Sequence, residues 1–355
     1  AFSGTMAAYG ANGGGGSYPG AAGTVYRQTQ TQAAGRGTLT VDNNNMVTPV
    51  GVDTRMPPAV NLNDFASVII TNKGNIGVVA DTTLDFGTNN IVGAGAGKAT
   101  ITIVNPAGVT FPGSYTISNY TLAAYAPLSV TGNWTIASNG CLTHGDNRWA
   151  GTYKLDLTVN GNVTIASNGV ITADGLGYDA GYGPGAPPPS AHGGGYGGIG
   201  GYHSGTPSAG LGTTYGSVMM PTNLGSGGGN NGGVSGGGAI KLNVTGSLAV
   251  NGVISANGMN NNRSGSGGSV YIRAAALSGG GSIQGNGGTS SESGGGGGRV
   301  AVILSGGDFS AFTGAITAYG GDGSQPQGDG AAGTVYKQDS ADGPGGGDLV
   351  LNNSS

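Results

Sequence analysis

The stretch NWTIASNGCLTHGD, Asn133 to Asp146, returns 29 residues later as NVTIASNGVITADG, Asn162 to Gly175. In both copies apolar and small polar residues alternate: Trp134, Ile136 and Leu142 in one, Val163, Ile165 and Ile171 in the other. A period of two sends one set of side chains into a core and the other outward, which is strand chemistry. The Asn-Gly between the runs is a turn signal.

The second half of this unit, G-x-(apolar)-x-A-x-G, recurs along the chain. It starts at Gly4 (GTMAAYG), Gly169 (GVITADG), Gly252 (GVISANG) and Gly314 (GAITAYG), with looser copies at Gly140 (GCLTHGD) and Gly281 (GSIQGNG). Neighbouring starts lie 29 residues apart from Gly140 to Gly169 and from Gly252 to Gly281, and 33 apart from Gly281 to Gly314. The 83 residues from Gly169 to Gly252 hold one 29-residue period and an insertion of 54. Another strand motif keeps step: GTYKLDL from Gly151, GAIKLNV from Gly238, GSVYIRA from Gly268, GRVAVIL from Gly298 and GTVYKQ from Gly333.

Periods of this length mark solenoids, propellers or arrays. No helical 3.6-residue pattern is present, and two or three short strands occupy each unit. An all-β parallel β-helix (β-solenoid) with roughly 28–35 residues per coil fits better than a propeller, whose blades need four strands each. Glycine suits its corners, where coils press together.

A longer repeat frames the shorter one. Residues 1–45 match 311–355 at an offset of 310, with GAAGTVYRQ from Gly20 lying over GAAGTVYKQ from Gly330. The simplest account is a window from a chain built of such units, so that the fibre begins again where the unit ends. The chain opens at Ala1 without a leader-like segment and reads as a mature or excised piece. The expected organisation is solenoid coils at 1–45 and again at 311–355, irregular β coils or a small β insertion at 46–132, regular coils at 133–174 and 239–355, and a Gly/Tyr/Pro-rich loop at 175–238.

That loop carries 25 of the chain's 80 glycines. It reads either as flexible low-complexity chain or as an ordered patch of extended, polyproline-like segments. In the second case Tyr178, Tyr182, Tyr196, Tyr202 and Tyr215 are its candidate contact residues, because tyrosine gives amphipathic contact area at low entropic cost. Wrapping a neighbouring subunit is a third possibility.

Charged residues make up 8% of the chain, the net charge is −4 and there is a single Glu, Glu292. Without a basic patch, nucleic acid is not an expected partner. No apolar run reaches the ~18–20 residues of a membrane span. One cysteine, Cys141, excludes a disulfide framework. The cluster CLTHGDNRW, Cys141 to Trp149, holds a thiol, an imidazole and a carboxylate, but the repeat places Cys141 over Val170 and His144 over Ala173, so both read as core positions. His192 and His203 lie in the glycine-rich loop without neighbouring Cys or Glu, and the aspartates are isolated, as turn residues are. No catalytic, metal or cofactor site is expected, and the chain reads as a non-enzyme. Asn-x-Ser/Thr sequons recur at matching slots, among them Asn133, Asn162 and Asn243, which points to stacked Asn and Thr ladders.

The strand motif followed by G-x-[IL]-x-A-x-G, together with FTGAITAYGG and GAAGTVY, resembles the glycine-rich repeats of very large bacterial extracellular proteins and the filamentous-adhesin style of right-handed β-helix. The resemblance covers residues 1–45 and 133–355 and is weaker between them. It implies a cell-surface or extracellular fibre, an adhesin-like structural protein that associates with itself and contacts glycan or matrix, and it transfers no catalytic residue. The alternatives are a glycan- or receptor-binding module using the glycine-rich loop, and a β-helix polysaccharide-degrading enzyme.

Overall fold

The computed structural model describes residues 4–12, 19–49, 51–56, 60, 62–78, 91–94, 98–104, 109–188, 192–202, 210–229, 233–324 and 327–353. Among them the chain is almost wholly β, with one 3-10 turn at Leu62–Asp64. Four sheets form, of nine, eight, five and four strands.

From Tyr115 to Leu304 the chain visits three of these sheets in rotation. Trp134–Ile136 joins the five-strand sheet, Cys141–His144 the nine-strand sheet and Leu155–Val159 the eight-strand sheet. The cycle then restarts with Val163–Ile165. Each strand lies parallel to the strand one cycle earlier. Trp134 pairs with Val163 and Cys141 with Val170, the offset of 29 read from the sequence. Val170 pairs directly with Val253, so the residues between these rows leave the sheets as an insertion. Later rows step by 30 (Ile240 to Val270 to Val300) and then 35 residues to Val335.

The alternation builds the core. Ile101, Leu122, Leu142, Ile171, Ile254 and Ile283 follow one another up the nine-strand sheet, all fully buried. Ile117, Ile136, Ile165 and Val250 do the same in the five-strand sheet. These columns belong to one continuous apolar cluster. Burial of one such side chain contributes about 1.5–3 kcal/mol. On the outward face Thr116, Thr135 and Thr164 stand in register.

The repeat glycines form a column of their own. A Cβ on Gly252 would fall on the carbonyl oxygen of Gly169, one on Gly281 on that of Gly252, and one on Gly314 on that of Gly281. Gly169 and Gly140 sit in the same way on Ile136 and Ile117. Close approach of backbones selects glycine here. Gly4 is exposed.

Residues 46–132, expected as irregular β coils or a small β insertion, are described in part. Their described strands extend the nine-strand sheet through Thr54–Met56, Asn75–Val78, Ala99–Ile103 and Tyr120–Ala124, all parallel. The steps are shorter than 28–35 residues: Thr100 pairs with Thr121, and Thr121 with Cys141. The residues are saved in one corner. Between Ala124 and Leu128 only Tyr125–Pro127 turn the chain, whereas residues 285–298 make the equivalent turn later. Phe111, Tyr115 and Trp134 pack ring to ring in these short rows, with centroids 4.6–5.6 Å apart.

The matching ends adopt one structure. Val25–Arg27 pairs antiparallel with Thr38–Asp42, Tyr26 opposite Leu39. Thr334–Gln338 pairs antiparallel with Asp348–Val350, Tyr336 opposite Leu349. These two hairpins are the antiparallel pairings between strands among the described residues.

Candidate functional site

Residues 256–268, 285–298 and 318–333 each join the nine-strand sheet to the eight-strand sheet, and the insertion 173–238 makes the same connection. Among the described residues these four segments pack on one another without forming strands. A buried run of glycines carries one N–H and one C=O per residue that need partners, and the packing supplies them in rotation. The N–H groups of Ser293, Gly294, Gly295, Gly296, Gly297 and Gly298 donate in turn to the carbonyls of Asn262, Gly328, Gly288, Gly194, Ala331 and Gly285. Gly294 and Gly297, three residues apart, reach Gly328 and Ala331, also three apart. Gly295 and Gly298 reach Gly288 and Gly285. The pattern recurs at Ser264 and Gly267, which reach Ser293 and Gly296, while Gly265 and Gly268 reach Met259 and Ala256. Donors that point the same way every third residue mark an extended helix of three residues per turn, the polyproline II geometry.

Glycine is required at the closest approaches in this lattice. A Cβ on Gly294 would fall on the Gly321 carbonyl, one on Gly295 on Gly265 and one on Gly296 on Gly198. The insertion is therefore an ordered layer over much of its length. Gly194, Gly197 and Gly201 donate to Ser264, Gly297 and Gly294 at 2.8–3.0 Å.

The five tyrosines occupy different places in this layer. Tyr196 is fully buried; its hydroxyl meets Ser269 Oγ at 2.7 Å and its ring lies 4.7 Å from that of Tyr215. Tyr196 thus has no side-chain surface to offer a ligand. Tyr215 donates its hydroxyl to the Leu224 carbonyl at 2.6 Å and lies 2.8 Å from Ser226 Oγ. Burial pushes the Tyr196 hydroxyl up to about 12 and raises that of Tyr215 as well. Tyr178 is half-buried and its backbone links Gly225 and Gly236. Tyr202 is half-buried, its ring edge-on to the buried His192 at 6.3 Å. Tyr182 is 49% exposed.

Sequence reasoning missed two participants. Arg299 is buried, with its guanidinium 5.6 Å from the Tyr196 ring centroid. Its Nε donates to the Tyr215 carbonyl at 2.8 Å and its Nη1 to Thr334 at 3.1 Å, so neutral groups and a π-face hold the cation. Trp149 is 62% exposed, its ring 6.5 Å from that of Tyr182. Trp149 lies in the CLTHGDNRW cluster, but only the fold brings it to Tyr182. Beside the lattice, Asn260–Asn262, Thr289–Ser291 and Asp322–Ser324 line a polar cleft of about 380 Å³.

Cys141 and His144 are both buried. Burial pushes the Cys141 thiol up, which disfavours the nucleophilic thiolate. His144 is buried; Nδ1 lies 2.7 Å from the Gly145 carbonyl and Nε2 accepts the Ala239 N–H at 3.3 Å. Those partners fix a neutral ring with its proton on Nδ1, and burial lowers its pKa to about 4. His203, Asp81 and Asp85 lie outside the described residues. Among the described residues no three His, Cys, Asp or Glu side chains gather as metal ligands, and no helix is long and apolar enough to cross a membrane. At two of the expected slots Asn133 Oδ1 accepts the Asn162 N–H at 2.8 Å and Asn162 Oδ1 the Ser247 N–H at 2.9 Å; a further asparagine row, outside the sequons, links Asn257 Oδ1 to the Asn286 N–H at 2.8 Å and Asn286 Oδ1 to the Tyr319 N–H at 2.9 Å.

No protein-family model matches the chain, and no curated protein or solved structure matches it.

Proposed function

We propose that this chain is a structural repeat unit of a bacterial extracellular filament or surface adhesin, wound as a right-handed parallel β-solenoid and associating with itself end to end. The observation that carries this reading is the pair of matching hairpins, one at the edge of the four-strand sheet and one at the edge of the eight-strand sheet, each followed inward by parallel strands. A unit whose last module repeats its first continues by addition. The glycine lattice supports a load-bearing role, because its contacts are backbone hydrogen bonds that need no charge and few flexible side chains. The buried Cys141 and neutral His144 fit a scaffold rather than a nucleophile.

The test is the mass of the native polypeptide on a denaturing gel, with negative-stain microscopy of the native material. A mass several times 34.1 kDa, or filaments assembled from chains near 34.1 kDa, is expected. Chains near that mass with only separate particles would refute the reading. A second reading, a glycan- or receptor-binding surface on the insertion, is favoured by the exposed Trp149–Tyr182 ring pair.

A further inference from the structure

Two aromatic side chains stand exposed where residues 145–154 meet the insertion. Trp149 is 62% exposed and Tyr182 49%, with ring centroids 6.5 Å apart and planes tilted by 47°. Contiguous aromatic surface in water, unlike a single exposed side chain, marks an interaction site.

Both rings sit on turns that the fold holds firmly. Trp149 follows Arg148, whose φ of 47° lies in the left-handed region, and the Ala150 N–H closes the turn on the Asn147 carbonyl at 3.0 Å. Asn147 is buried and clamps this turn. Its Nδ2 donates to the Tyr153 and Leu176 carbonyls at 2.8 and 2.7 Å, and its Oδ1 accepts the Tyr153 N–H. Tyr182 closes a second turn, its N–H donating to the Asp179 carbonyl at 2.9 Å while its carbonyl accepts the Gly227 N–H at 3.1 Å. The Asp179 N–H donates to the Arg148 carbonyl at 2.7 Å and ties one turn to the other. Tyr178 is wedged between them: a Cβ on Gly151 would fall on its hydroxyl, and one on Gly183 on its ring. None of these bonds uses the Trp149 or Tyr182 ring, so both ring faces stay open.

Polar groups flank the rings. Arg148 Nε lies 3.5 Å from Asp146 Oδ2, the two side chains 66% and 40% exposed. Asp179 Oδ1 accepts the Ser235 hydroxyl at 2.7 Å. Two carboxylates against one guanidinium disfavour an anionic ligand. The negative faces of the rings attract weakly positive C–H groups. A molecule with flat C–H faces and a rim of hydroxyls meets both demands, and a pyranose is such a molecule. In β-linked glucose every ring substituent is equatorial, so both faces consist of axial C–H bonds. The β-1,4 linkage keeps successive sugars in line, and one can lie on each ring.

We propose that Trp149 and Tyr182 form a stacking platform for a neutral β-1,4-linked glucose oligosaccharide, with Asp146 and Arg148 binding hydroxyls at its rim. This rests on the second reading above, a binding surface on the insertion, and names its ligand. Rings already fixed lose little freedom on binding, so their contacts are realised as affinity.

The chain has two tryptophans, and Trp134 is fully buried against Phe111 and Tyr115, so Trp149 reports on the platform. The full chain is titrated with cellohexaose. A saturable blue shift of the emission and a loss of acrylamide quenching are expected. Maltohexaose, the same sugar in α linkage, and hexagalacturonate, an anion, should give neither. By calorimetry, cellohexaose should bind roughly tenfold more weakly or worse to Trp149→Ala and to Tyr182→Ala. Tyr182→Phe keeps the ring and should bind as the parent does. Both side chains are exposed, so the variants should melt with the parent. The proposal is overturned if cellohexaose gives no saturable response, binds Trp149→Ala as well as the parent, or binds no more tightly than maltohexaose or hexagalacturonate. A glycan array probed with the parent and with Trp149→Ala then decides the underlying reading. Glycans held by the parent and lost by the variant would leave the surface standing with another ligand, and none lost would remove the glycan surface as well.

Discussion

His144 shows how one residue is claimed by packing. Its ring bridges the Gly145 carbonyl and the Ala239 N–H, and a Cβ on Gly238 would fall on its Nε2. The neutral form alone can accept the Ala239 hydrogen bond, and burial lowers the pKa from 6.5 to about 4. The unfolded chain therefore binds a proton that the folded chain refuses throughout that window, and stability falls as pH drops through it. The loss attributable to this ring reaches ~3 kcal/mol at the acid end. Denaturant unfolding at pH 7 and pH 4.5 should show it, and a His144→Gln variant should have a shallower pH slope than the parent. An unchanged slope would remove the ring from the account. The core role of His144 was legible in the sequence from the repeat, which set it over Ala173; its hydrogen-bond partners were not, because Ala239 lies 95 residues away across the insertion.

At the scale of elements, strands and glycine segments differ in how much their sequences disclose. Strand rows announce themselves through alternation, and an offset of 29 placed Cys141 beside Val170 because equal spacing stacks equal slots. The insertion was legible for the same reason, as surplus length between Gly169 and Gly252. The short rows from Thr54 to Cys141 were not: Ser67–Thr71 leads to Asn75–Val78 with no strand of the five-strand sheet between them, Ala124 leads to Leu128 through three residues, and neither economy carries a motif. The glycine lattice was least legible. Glycine has no side chain to alternate, and each N–H finds its partner only once the neighbouring segments are in place. Hence Tyr196 looked like a contact residue, although in the fold it fills the space between Tyr215 and Arg299. The lattice makes a sharp prediction. Gly296→Ala, whose Cβ would fall on a backbone carbonyl, should cost about 1–3 kcal/mol. Gly343→Ala, with open space around it, should be neutral or stabilise by up to ~1 kcal/mol. Thermal or urea unfolding of the two variants distinguishes them, and equal effects would mean the segments are loosely packed.

Across the whole molecule, the hydrogen bonds between successive rows run perpendicular to the strands, from each row to the next. Tension applied between the first and last rows therefore meets them one row at a time. Each row released between Trp134 and Val163, or between Val270 and Val300, frees 29 or 30 residues, about 100 Å of slack chain. The glycine segments change this locally, because they tie Gly194, Gly197, Ile199 and Gly201 to residues from Ser264 to Ala331 across several rows at once. Single-molecule pulling from the two ends should give a train of small, even extensions, followed by one longer and stronger event when the cross-tied rows give way together. Even extensions alone would mean that the glycine layer bears no load. A thread built in this way would yield by measured lengths under a sudden tug and keep one knot in reserve.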